Sequence, residues 1–219
     1  SFLVLTFTAF NAIYEPMIDF RPWKVGNRMV PLQQDQKPPV SFATYRNNST
    51  NIEQEFEAQE LMKAYQEDQD FATNWTFVSS RVVNTNTIAA DGFSMIGVFG
   101  DEDEAFEFLS HQGVSVIVTL VDLDSPSIKT MAKIATFLEK ASDKGCQTAI
   151  ITSSPKVKWA EFTNKHNLKD VLMYSTDDKA ILTIMRSNPG IVMIENGQVI
   201  EKYSWRCLPD FETLQIDNQ

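Results

Sequence analysis

The sequence predicts an α/β fold, a mixed and mostly parallel sheet with helices on both faces, and three observations carry that prediction. Residues 114–123 (VSVIVTLVDL) are almost continuously apolar and β-branched, as in a central strand covered on both sides. Strand-like and helix-like runs alternate around it, which implies parallel strands joined by crossover helices. Near the end, Asn196-Gly197 separates the apolar runs 191–194 and 199–203, the strongest short-range signal for an antiparallel hairpin.

The elements follow in order. Residues 1–14 (SFLVLTFTAFNAIY) carry no charge, and the chain turns polar at Glu15. As a helix this run reaches about 21 Å, short of a hydrocarbon core of about 30 Å. Three readings stand: a buried strand or helix, the end of a signal peptide, or the last part of a transmembrane helix. Pro16 and the group Arg21, Trp23 and Lys24 have the chemistry of a membrane exit, since Trp and Lys/Arg favour the interface. The stretch 25–51, rich in Pro, Gln and Asn, reads as an extended arm with a short strand at 40–45. Residues 52–65 place Ala58, Leu61, Met62 and Tyr65 at helical spacing. The organisation expected is therefore an apolar segment 1–14, an extended linker 15–70 with one short helix, and a folded domain 71–210.

Within that domain, 75–83 (WTFVSSRVV) and 93–99 (FSMIGVF) have strand composition. Glu102, Asp103 and Glu104 open a helix carrying Ala105, Phe106, Phe108 and Leu109, with Gly113 as terminator; acid in a first turn answers the helix dipole. After the central strand, Asp124, Ser125 and Pro126 supply an N-cap and a first-turn proline for a helix running to about Ser142. A strand at 147–152, a helix at 156–166 with Trp159 and Phe162 inward, and a short strand at 171–174 come next. Ser175 and Asp178 then resemble a capping box opening a helix through Met185.

A formal charge of −10 speaks against a surface that tracks phosphates, so no nucleic-acid partner is expected. Cys146 and Cys207 are the only cysteines, and neither belongs to a C-x-x-C or metal spacing. They read as two separate thiols, with a single disulfide as the alternative. His111 and His166 stand alone in sequence, so no metal and no cofactor is assigned. Asn48 and Asn74 each begin an Asn-x-Ser/Thr pattern, too common by chance to fix a compartment.

The element order, the strand–helix junction at 123–128 and Pro189 just before the closing hairpin resemble the thioredoxin fold over residues 75–207. The resemblance implies a thioredoxin-like three-layer sandwich with a mixed central sheet, preceded by an N-terminal extension, and a cis bond at Pro189. Active members carry C-x-x-C at the junction, where a helix N-terminus stabilises a thiolate. Here the junction reads Asp122-Leu-Asp-Ser-Pro-Ser-Ile-Lys129, without sulfur. A narrower similarity is to the C-terminal soluble domain of Bacteroidetes DoxX-family membrane proteins, carried by DFRPWKVGN (19–27), NWTFVSS (74–80) and IMRSNPGIVMIENGQVI (184–200). It implies that residues 2–14 end a membrane helix and that the soluble domain is periplasmic on a bacterial inner membrane.

Two functions compete. One is a redox-inactive binding or accessory domain with a membrane, membrane-protein domain, protein or peptide as partner, using Asp122, Asp124, Ser125, Asn188 and Pro189. The other is a thiol-disulfide oxidoreductase-related enzyme using Cys146 or Cys207 in a non-standard way. No nucleophile-elbow motif supports a hydrolase.

Overall fold

A computed structural model describes residues 21–90, 92–98, 100–168 and 170–214, so the apolar run 1–14 lies outside the described residues. The chain forms two compact units, with residues 34–86 inserted between two parts of the larger one.

The inserted unit is a three-stranded antiparallel sheet: β1 (Val40–Asn47), β2 (Glu53–Glu57) and β3 (Trp75–Val83), in the order β2-β1-β3. Between β2 and β3 lie helices α1 (Ala58–Glu67) and α2 (Phe71–Asn74). One cluster of rings holds it together: Phe71 stacks on Trp75 at 5.6 Å, and Tyr45, Phe56 and Phe77 meet edge to face. Exposed pairs Arg46–Glu53 and Arg81–Glu55 cross between strands. At its base Asn86 and Lys37 exchange two hydrogen bonds of 2.8 Å.

This differs from the division 15–70 and 71–210. The strand at 40–45 and the helix near 58–65 exist, but residues 53–57 pair with β1 as β2, and the strand 75–83 joins this small sheet instead of the large one. Its composition specified a strand; its partner, β1, is set by contacts from Asn47–Trp75 to Val40–Val83, far apart in sequence, that periodicity does not encode.

The larger unit contains α3 (Ala105–Leu109), β4 (Val114–Leu120), α4 (Ile128–Asp143), β5 (Gln147–Thr152), α5 (Trp159–Lys165), β6 (Leu172–Ser175), α6 (Asp178–Ile184), β7 (Gly190–Glu195) and β8 (Gln198–Ser204). The sheet order is β6-β5-β4-β7-β8; β4, β5 and β6 are parallel, while β7 runs antiparallel to β4 and to β8. Alternate residues of the buried strands feed two cores. Val116, Val118, Leu120, Ile150 and Ile191 pack against α4 and α5 through Met131, Phe137, Trp159 and Phe162. Ile117, Ile151 and Val192 pack against α3 and α6 through Phe108, Ile181 and Ile184. The result is the three-layer thioredoxin-like arrangement.

Local signals set several boundaries. Asn196 and Gly197 take positive φ of 48° and 79°, as a two-residue hairpin between β7 and β8 requires. The expected strand 93–99 is absent as a strand; Ile96 makes isolated bridges to Asp103 and Ser175, with Gly92 and Gly97 interrupting the run. Helix α4 starts one turn later than expected, capped by Ser127, whose Oγ accepts from the Thr130 N–H at 3.1 Å. Likewise α6 is capped by Asp177 rather than Ser175.

Residues 26–29 lie along the outer edge of β8. The Gly26 N–H donates to the Val199 carbonyl at 2.8 Å, the Val199 N–H to the Asn27 carbonyl at 2.9 Å, and the Met29 N–H to the Gly197 carbonyl at 2.7 Å. Trp23 is only 1% exposed and meets Phe93 edge to face at 4.9 Å. The membrane-exit reading of Trp23 is thereby corrected: its indole belongs to a protein core.

Candidate functional site

In open α/β sheets ligands bind beyond the carboxyl ends of the strands, where the chain order reverses. Here β4 leads to β5 and β6 on one side while β7 returns on the other, so that point lies beyond Leu120, against the loop before β7. The sequence places Val121 to Ser127 there, and Ser187 to Pro189 opposite.

A polar network joins these loops. The Asn188 Oδ1 accepts from the Val121 N–H at 3.0 Å, and its Nδ2 faces the Ser125 Oγ at 3.4 Å. Ser125 Oγ donates to the Asp122 carbonyl at 2.7 Å, and Asp122 Oδ1 accepts from the Asp124 N–H at 3.1 Å. From the end of β5, Ser154 Oγ reaches Asp122 Oδ1 at 3.3 Å and accepts from the Leu123 N–H at 3.0 Å, while Ser153 Oγ donates to the Val121 carbonyl at 2.7 Å. The Asn188–Pro189 peptide is cis, as expected; Pro189 is buried, and its carbonyl accepts from Ser187 Oγ at 2.7 Å. Ser187 Oγ is also 2.9 Å from Ser204 Oγ.

All five residues singled out in the sequence therefore lie on this one assembly. Ser153, Ser154, Lys158, Ser187 and Ser204 were missed. The run Thr152-Ser-Ser-Pro155 at the end of a buried strand was the available signal for the first two; nothing in sequence pointed to Lys158, whose ammonium pairs with the Asp124 carboxylate. The Lys158 bond, then its charge, holds Asp124 below the usual carboxylate range, and Asp124 in turn raises Lys158. A depressed carboxyl contributes above its unfolded pKa, so this link between the β4–α4 and β5–α5 loops is present at neutral pH and lost as acid protonates Asp124.

Next in sequence to this network are the two most exposed large aliphatic side chains among the described residues, Val157 at 87%, just before Lys158, and Ile128 at 71%, just after the Ser127 cap. Neither contributes to a core. Hydroxyls and carboxylates on loops that also carry bare aliphatic side chains are suited to contact. They present hydrogen-bonding groups, apolar area and one ion pair.

Both cysteines are free. Cys146 is buried just before β5, at the end of the sheet opposite Asp122, and burial raises its thiol pKa. Cys207 is exposed on the single turn Trp205–Cys207 after β8. His111 follows α3 and His166 caps the end of α5, where burial and Lys165 lower its pKa. Neither imidazole joins the network; the base nearest one of its serines is the Asp122 carboxylate, which accepts from Ser154 Oγ. Among the described residues no three metal-ligating side chains converge, and no helix is long and apolar enough to cross a membrane.

No protein-family model and no curated protein matches the sequence. Solved structures with a similar course include a secreted Mycobacterium tuberculosis disulfide oxidoreductase homologous to E. coli DsbE, at 14% identity over 52% of this chain and 83% of that one, TM-score 0.39. Yeast Sco1 is similar at 16% identity over 51% and 81%, TM-score 0.41. Reduced Prx3 from Vibrio vulnificus is similar at 12% over 51% and 80%, TM-score 0.41. At this level the likenesses carry no inference about activity.

Proposed function

We propose that the larger unit is a non-catalytic thioredoxin-like binding domain, which docks a protein or peptide partner on the face formed by Asp122, Asp124, Ser125, Asn188 and Pro189 together with Ile128 and Val157. The single observation that carries the reading is the hydrogen-bonded junction itself. Where a redox-active member would hold a thiolate, this chain has a network of carboxylates, hydroxyls and one amide. Disulfide exchange needs a thiolate nucleophile, and Cys146 lies at the other end of the strands.

The domain is proposed to act as an accessory part of a bacterial membrane protein, on the periplasmic side of the inner membrane. The uncharged run 1–14 and the similarity to DoxX-family proteins support this placement. Tyr14 and Trp23 are nine residues apart, a reach of about 30 Å when extended, so a membrane segment ending at Tyr14 would hold the docked Trp23 close to the lipid surface. The second reading, a thiol enzyme of non-standard form, draws on Cys207: it is exposed and three residues beyond Ser204, which bonds Ser187 beside Pro189.

Site-specific photo-cross-linking in cells tests the docking face, with the photoreactive residue at Val157 in the full-length protein and at Glu139 on the outer side of α4 as control. The expected outcome is one discrete polypeptide adduct from position 157, in the membrane fraction, retained when both cysteines are serine and lost with Ile128→Asp. Equal labelling from 157 and 139, or an adduct that needs either cysteine, would overturn the reading.

A further inference from the structure

A groove of about 290 Å³ lies on the larger unit, between α4 and residues 208–211, away from the polar junction. Its α4 wall is Lys133, Phe137 and Lys140, spaced i, i+4, i+7 along one helix face, with Thr136 on the rim. Its floor is apolar: Phe137 and Phe211 are buried and meet edge to face at 5.0 Å, and Leu208 is buried beside them. The size lies just below the usual range of ligand pockets, about 300 Å³ upward, and an apolar floor with few polar groups is their usual construction.

The two ammonium groups on its wall differ. Lys140 is already paired, with Asp210 at 2.8 Å and Glu212 at 3.7 Å. Lys133 has no carboxylate partner among the described residues; its ammonium makes only a 3.5 Å contact to the Trp205 carbonyl. A single negative charge therefore has a place at Lys133, and the Asp210 carboxylate in the same lining repels a phosphate-like dianion about twice as strongly as a monoanion. We propose that this groove binds a small amphipathic monocarboxylate, its apolar body over Phe137 and Phe211 and its carboxylate on Lys133. The groove shares no lining residue with the docking face and contains neither cysteine.

NMR titration of the protein with benzoate, benzamide as the uncharged isostere and benzylamine as the cation tests it. Saturable shifts are expected at the amides of 133–140, Leu208, Asp210 and Phe211, with benzoate bound about threefold more tightly than benzamide, as for an exposed charge pair, and benzylamine weakest. Lys133→Met should reduce benzoate to the benzamide level and leave benzamide unchanged. Thr136→Trp should fill the groove and abolish both without lowering the thermal midpoint. Failure of benzoate to saturate, equal affinity for benzoate and benzamide, or an anion preference that survives Lys133→Met would each overturn the proposal.

Discussion

Trp23→Ala is expected to destabilise the larger unit by about 3–5 kcal/mol, the range for removing a buried large aromatic. Although its sequence neighbourhood reads as a membrane exit, its indole belongs to one buried cluster with Met29, Val30, Phe93, Met95 and Phe108. The backbone after it is tied to the β7–β8 hairpin by three hydrogen bonds, two at Val199 and one at Gly197, so the segment has little freedom to collapse into the space left behind. Urea unfolding followed by NMR signals of β4 amides would read the loss from this unit alone. A change within about 0.5 kcal/mol, the usual size for an exposed surface position, would return Trp23 to the role of an interfacial anchor.

Gly190→Ala is expected to cost about 1–3 kcal/mol or more, by overpacking. Gly190 opens β7 opposite Thr119, and a Cβ there would lie 2.7 Å from Thr119 Oγ1 and 2.8 Å from Met185 Cβ. Both neighbours are fully buried, and the β-branched Thr119 has little rotamer freedom to move aside. The strain falls two residues from Asn188, so the Val121 amide, which donates to Asn188, should shift in NMR spectra. Adding Thr119→Ala removes the hydroxyl and should recover part of the loss, leaving the pair non-additive. Gly100→Ala is the control: its nearest heavy atom would be 3.7 Å away, and stability should hold. Additive losses in the double variant would show that the contact with Thr119 is not the cause.

Much of the larger unit was legible because its information is local. The unbroken apolar run of β4, the helical stripe of α4 and the Asn196-Gly197 turn each specify an element within about ten residues, and each stands in the structure. What escaped was pairing. The strand 75–83 was visible, yet its partner β1 was not, because half-exposed antiparallel strands carry no label for their neighbour. Trp23 beside Arg21 and Lys24 has the same composition whether it anchors at a lipid interface or plugs a core; only Phe93, seventy residues on, decides. At the junction, Asp124 and Ser125 were adequate helix caps by sequence, but the cap is Ser127, which leaves the two upstream residues on a loop. The bond from Asn188 to Val121 spans 67 residues, and the Asp124–Lys158 pair spans 34; neither spacing has a sequence signature. Thioredoxin-like order thus located the right end of the sheet, and the chemistry found there came from residues that meet only after folding.

Reduction of insulin by dithiothreitol, with and without the protein, tests most directly whether this scaffold works without sulfur. Precipitation should proceed at the rate of dithiothreitol alone, and Cys146→Ser and Cys207→Ser should change nothing. Turnover above that background, abolished by either substitution, would contradict a non-catalytic domain and put a thiol at the centre of its function.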